Sequence, residues 1–80
     1  MGQKIKCACC GYLTIEDVHN ICPVCFWQKD PDQEKDIDEF DEEWGANQVS
    51  LRQAIANYKK FGVSDARMKR HVRPPNKDEL

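Results

Sequence analysis

The sequence contains no run approaching the ~18–20 apolar residues that a membrane-spanning helix requires, so no membrane span is expected. It is short of the material for a deep catalytic cleft. Its 80 residues, 9% of them aromatic, suit a single domain, 1–80. A chain of this size buries only about 60–65% of the surface it exposes when unfolded, so a metal, a disulfide or a partner is expected to help hold it. Glycine-marked catalytic and phosphate motifs (G-x-S-x-G, the P-loop) are missing, as is H-E-x-x-H. The many carboxylates of the middle segment lack the glycine-marked spacing of an EF-hand. No enzyme is therefore expected. Met1–Lys6 has no apolar leader, and Lys6 stands where a myristoylation site wants Ser or Thr. The final Lys77-Asp78-Glu79-Leu80 spells an endoplasmic-reticulum retention signal. With no leader to deliver it there, it is read as a charged, fraying tail, and the cytoplasm is the expected compartment.

What the sequence does have is five cysteines. In a reducing compartment they serve a metal or redox role rather than a disulfide framework. Four form two C-x-x-C pairs, Cys7/Cys10 and Cys22/Cys25. Two intervening residues let both sulfurs of one turn face a single ion, and a doubled pair is a strong tetrathiolate signal. Gly11 follows the first pair and tolerates positive φ. Pro23 pre-sets φ within the second. One Zn2+ per chain is the expected occupant, because it is soft enough for sulfur and redox-silent. Iron is the alternative. Cys9 is read as a thiol packed beside the turn, with a C-x-C arrangement in which it replaces Cys10 as the competing reading. His19 and His71 are alternative ligands, but four cysteines already complete a shell.

Three zones follow. Residues 5–28 carry the cysteines, and Tyr12–Ile15 and Val18–Ile21 read as two short strands joined at Glu16-Asp17. Residues 29–48 form an acidic connector. Nine acids lie within 29–43 against two lysines, a formal charge of −7. This stretch is expected to be mostly irregular, with a helical turn opened by Asp30-Pro31, and pinned by Phe40 and Trp44. Residues 49–73 are helical. Ser50 is a good N-cap, with Gln53 placed as in a capping box. Leu51, Ala54, Ile55, Tyr58 and Phe61 recur at helical spacing, and Gly62 ends the helix. Ser64-Asp65 opens a second short helix bearing Met68 and Val72, and residues 74–80 are the tail. Phe26-Trp27 suggests that the second metal turn docks into a core against Leu51, Ile55 and Tyr58. Residues 46–77 hold eight bases against Asp65, a formal +7. The expected fold is a small metal-stabilised α+β domain: a zinc-ribbon or rubredoxin-like knuckle hairpin packed on a C-terminal helix.

Cys7-Ala8-Cys9-Cys10-Gly11-Tyr12-Leu13-Thr14, Cys22-Pro23-Val24-Cys25-Phe26-Trp27, Val49-Ser50-Leu51-Arg52-Gln53-Ala54 with Asn57-Tyr58, and His71-Val72-Arg73-Pro74-Pro75 together resemble the cysteine-rich CPCC family of small, mostly bacterial proteins. The resemblance spans nearly the whole chain and implies a cytoplasmic metal-binding domain of unsettled role. Ala8 departs from it, standing where the family name has proline. Residues 7–25 also resemble the rubredoxin-like domain of rubrerythrins, with Phe26 in place of that domain's usual glycine. The expected partner is another protein. Nucleic acid, bound through Arg67, Lys69, Arg70, His71 and Arg73, is the alternative, although a pI near 5.6 argues against it. The third reading is rubredoxin-like electron transfer with iron.

Overall fold

The computed structural model describes residues 4–40 and 47–80. Two tight cysteine turns organise its first half. Around the first, β1 (Ile5–Lys6) pairs antiparallel with β2 (Leu13–Ile15). Ile5 faces Ile15 and Lys6 faces Leu13, which leaves Thr14 as a bulge. A bulge bends the strand and re-aims one side chain.

The strand expected at Tyr12–Ile15 is present in its Leu13–Ile15 part, but its expected partner is not. Val18–Ile21 opens as a turn. His19 lies at φ 67°, and the Val18 N–H donates to Asp17 Oδ1 at 2.7 Å. That side chain offers the backbone an alternative to a ladder. Only Ile21 reaches a bridge, to Gln28 across the second cysteine turn. Each cysteine turn thus reverses the chain by itself, and the flanks of one turn pair with each other.

The connector opens with α1 (Pro31–Lys35), where Asp30 caps and Pro31 starts the first turn. Phe40 does not pin this stretch, being 44% exposed, and Trp44 lies outside the described residues. The anchor is Gln33 instead. Its buried amide donates to the Glu39 and Val49 carbonyls and accepts from Asn47. A buried amide with its bonds made is stable there, and a search for apolar spacing passes over it.

α2 (Leu51–Phe61) forms as expected. The Gln53 N–H donates to Ser50 Oγ, but the Gln53 side chain turns to Asn57, so only half of the capping box is made. Gly62 closes the helix at φ 78°. Leu51 and Ala54 are buried, and Ile55 and Tyr58 pack half-buried beside them. Phe61 does not join this face. It stands exposed under Lys60, and Val63, fully buried after the Gly62 turn, lies inside instead. Asp65 then caps a 3-10 helix, Ala66–His71, that carries Met68.

The tail is not frayed. A second 3-10 helix, Lys77–Glu79, ends the chain with Glu79 1% exposed. Arg73 grips that carboxylate with two bonds of 2.8 Å, the Asn76 N–H donates at 2.7 Å, and Lys4 lies 3.9 Å away. Bidentate, charge-assisted bonds of this kind bring order to a segment whose composition reads as solvent-facing. The acidic and basic zones meet at Arg52–Asp38, an exposed pair at 2.7 Å. Among the described residues, no helix is long and apolar enough to cross a membrane.

Candidate metal centre

The two cysteine turns are built alike. In the first, the Gly11 N–H donates to the Cys7 carbonyl and the Cys7 N–H to the Tyr12 carbonyl, both at 2.9 Å. In the second, the Phe26 N–H donates to the Cys22 carbonyl at 2.8 Å and the Cys22 N–H to the Trp27 carbonyl at 2.9 Å. Both need a left-handed residue after the second cysteine. Gly11 supplies it at φ 82° and Phe26 at φ 72°. Glycine does so freely. A bulky side chain in that region costs about 1–2 kcal/mol.

The turns bring Cys7, Cys10, Cys22 and Cys25 together, with all four sulfurs within 4.8 Å of one another. Cys7 and Cys25 sulfurs lie 3.4 Å apart, and those of Cys10 and Cys22 3.7 Å. A tetrahedron with metal–sulfur bonds of about 2.3 Å has edges of about 3.8 Å. The cluster therefore has the size that a four-coordinate ion demands. Cys7, Cys22 and Cys25 are buried, and Cys10 is half-buried.

Sulfurs packed this closely cannot all ionise on their own. Cys22 is held far below the ordinary thiol value by hydrogen bonds from Cys10, Cys25 and Cys7. Cys7 is pushed far above it by Cys10 and Cys22, and Cys10 by Cys22 and Cys25. A divalent cation placed among the four sulfurs would displace their protons and allow all four to ionise.

Two further groups tune Cys22. The bulged Thr14 places its hydroxyl 2.9 Å from Cys22 Sγ, and the Val24 N–H donates to the same sulfur at 3.4 Å. Such second-shell donors orient a thiolate and spread its charge. Sequence spacing could not single out Thr14, because its role depends on the bulge. The turn docks as expected from Phe26-Trp27, but only Trp27 enters the core. Trp27 is fully buried in the cluster that includes Leu51 and Ala54, and its indole N–H donates to Glu34 at 3.3 Å. Phe26 stays half-buried against His71, ring centroids 5.5 Å apart. Helix and cysteines are further fastened where the Ser64 N–H donates to the Cys25 carbonyl at 2.7 Å, and the Arg73 N–H to Pro23 at 3.1 Å.

Cys9 is buried in the core and is not among the four sulfurs that lie within 4.8 Å of one another. His19 and His71 are exposed and also stand outside that cluster.

A search of curated proteins finds no match. A family model described as Cysteine-rich CPCC matches residues 5–79, which takes in both cysteine turns, α2 and the tail clasp. The chain belongs to the cysteine-rich CPCC family.

Proposed function

We propose that Cys7, Cys10, Cys22 and Cys25 hold one zinc ion, that the ion folds a zinc-ribbon-like domain, and that the domain is a non-catalytic cytoplasmic module whose surface binds another protein. The observation that carries the metal reading is the cluster of four sulfurs within 4.8 Å of one another, two of its edges being 3.4 and 3.7 Å. Four thiolates fill a tetrahedral shell and leave no open position for substrate, so the ion's contribution is folding free energy. The five cysteines, none of them in a disulfide, suit a reducing compartment. The interaction role is supported by the small size of the chain and by its two oppositely charged zones.

The test is elemental analysis with an absorption spectrum, on protein purified without a metal-chelating tag. One zinc per chain and no colour is the expected result. Iron with red thiolate-to-metal bands, persisting in metal-balanced medium, would replace this reading with rubredoxin-like electron transfer. Cys9→Ser should leave the metal in place. Loss of the ion in that variant would redraw the ligand set.

A further inference from the structure

Phe61 closes α2 and faces outward, 41% exposed, with the Lys60 ammonium 5.3 Å from its ring centre. A single exposed aromatic is ordinary by itself. This one shares its helix face with an open pocket of about 360 Å³ at the start of α2, lined by Asp38, Phe40, Gln48, Val49, Ser50 and Gln53. Phe40 and Val49 give the pocket apolar walls. Asp38 is its one charged lining residue, and the carboxylate stays 67% exposed although Arg52 holds it at 2.7 Å. Asp36 is exposed beside it and accepts from the Asp38 N–H at 3.1 Å. It makes no ion pair among the described residues, so acids outnumber the one cation there.

Gln53, Asn57 and Phe61 recur at four-residue spacing and form one stripe along α2. The Gln53 amide donates to Asn57 Oδ1 at 2.8 Å along that stripe. Gln53, at the pocket, and Phe61 are about 12 Å apart on the helix axis. The ring therefore cannot fill the pocket of its own chain. That separation also exceeds the Debye length of ~8 Å, so Lys60 does little for its own Asp38.

We infer that two copies of the chain pair through this face, α2 against α2 in opposite directions, each seating Phe61 in the other's pocket and Lys60 beside the other's Asp38. A twofold axis at Asn57 makes both contacts at once, because it exchanges the two ends of the stripe. Asn57 buries no bare polar group there. Its amide donates to the Ser64 carbonyl at 2.8 Å and its oxygen accepts from Gln53. Charge selects the occupant. An apolar pocket edged by a carboxylate fits an aromatic ring with a cation beside it, and the chain carries that pair itself at the far end of the same stripe. The pairing goes beyond the partner proposed above and uses no metal ligand.

The experiment is sedimentation equilibrium of the zinc-loaded full chain over a range of concentration and salt. The expected result is a monomer–dimer equilibrium that weakens as salt rises. Phe61→Ala should weaken the dimer about tenfold or more, as loss of a buried aromatic anchor does. Lys60→Glu and Asp38→Lys each place like charges at both contacts and should weaken it about tenfold. An equimolar mixture of those two variants should regain the dimer, because each contact between them is again an attractive pair. A monomer at every concentration would overturn the inference. So would a dimer indifferent to Phe61→Ala, a mixture that stays monomeric, or growth past two copies. Zinc content and helicity are measured first on every variant. A zinc-bound, helical chain that stays monomeric therefore counts against the pairing alone and leaves the metal centre standing.

Discussion

The two cysteine turns share one hydrogen-bond scheme but differ in what surrounds it. The first is light and outward: Gly11 closes it without strain, and Cys10 is its half-buried sulfur. The second is built into the molecule. Both of its cysteines are buried, Trp27 sinks into the core behind it, and Ser64 and Arg73 clasp its carbonyls. Thr14, from the far side of the first turn, serves a sulfur of the second. The scheme alone needs two cysteines and one left-handed residue. Everything added in the second turn joins the metal centre to the helices.

Substitutions can break that comparison, the largest first. Cys22→Ser should abolish the cooperative melt and the bound metal together. A structural zinc site is worth about 10–16 kcal/mol, as much as the whole stability of a small domain. Circular dichroism with metal analysis reads both, and native helicity with a sharp transition in Cys22→Ser would sink the metal-clip reading. Cys10→Ser should weaken metal binding with less disruption, because its sulfur is tied to fewer neighbours.

Thr14→Val tests the hydroxyl contact to Cys22 Sγ. Loss of a second-shell bond should lower metal affinity about 10–100-fold with the fold retained, measured by competition with a chromophoric chelator. An unchanged affinity would make the 2.9 Å contact incidental.

The left-handed positions give the smaller effects. Gly11→Ala meets no atom within 4 Å of its added Cβ, so its cost is conformational alone. It should amount to about 1–2 kcal/mol, or roughly 4–16 °C of melting temperature. Phe26→Gly should come out close to neutral in stability, because relief at φ 72° offsets the packing of a half-buried ring on His71. A large loss of stability there would mean that Phe26 belongs to the core after all.

Much of this site was readable because its determinants are local. A C-x-x-C turn needs only adjacent residues, so the four sulfurs, Gly11, the Ser50 cap and the Gly62 stop all follow from spacing. The pairing of β2 was misread because two short β-prone runs look like a hairpin, whereas the geometry is decided by His19 in the left-handed region and by the Asp17 side chain. Gln33 and Glu79 were missed for another reason. Both are polar residues that go inside only because distant partners, Asn47 and Val49 for one and Arg73 for the other, complete their bonds. Nothing in their own neighbourhood marks them as buried.

The Glu79 clasp also bears on the order of folding. The metal turns join positions 18 residues apart, Cys7 and Cys25, whereas the Lys4–Glu79 contact joins one end of the described chain to the other. Closing the longer loop costs more entropy and rewards the chain only once its middle is in place. Arg73 itself is held to Pro23 of the second turn, so the grip that receives Glu79 is assembled by the metal half. The clasp is thus a late latch. Glu79 holds its proton only near about pH 2, because Arg73 and the Asn76 N–H stabilise its charge. With its folded value depressed, the latch contributes fully above the ordinary carboxylate range of about 4.3 and lets go as pH falls from there toward about 2. Protection of the Glu79 amide, measured against its intrinsic exchange rate, should fall in that window and, at neutral pH, in Glu79→Gln. In a refolding experiment its protection should appear after that of Cys22 and Phe26, whose amides close the second turn.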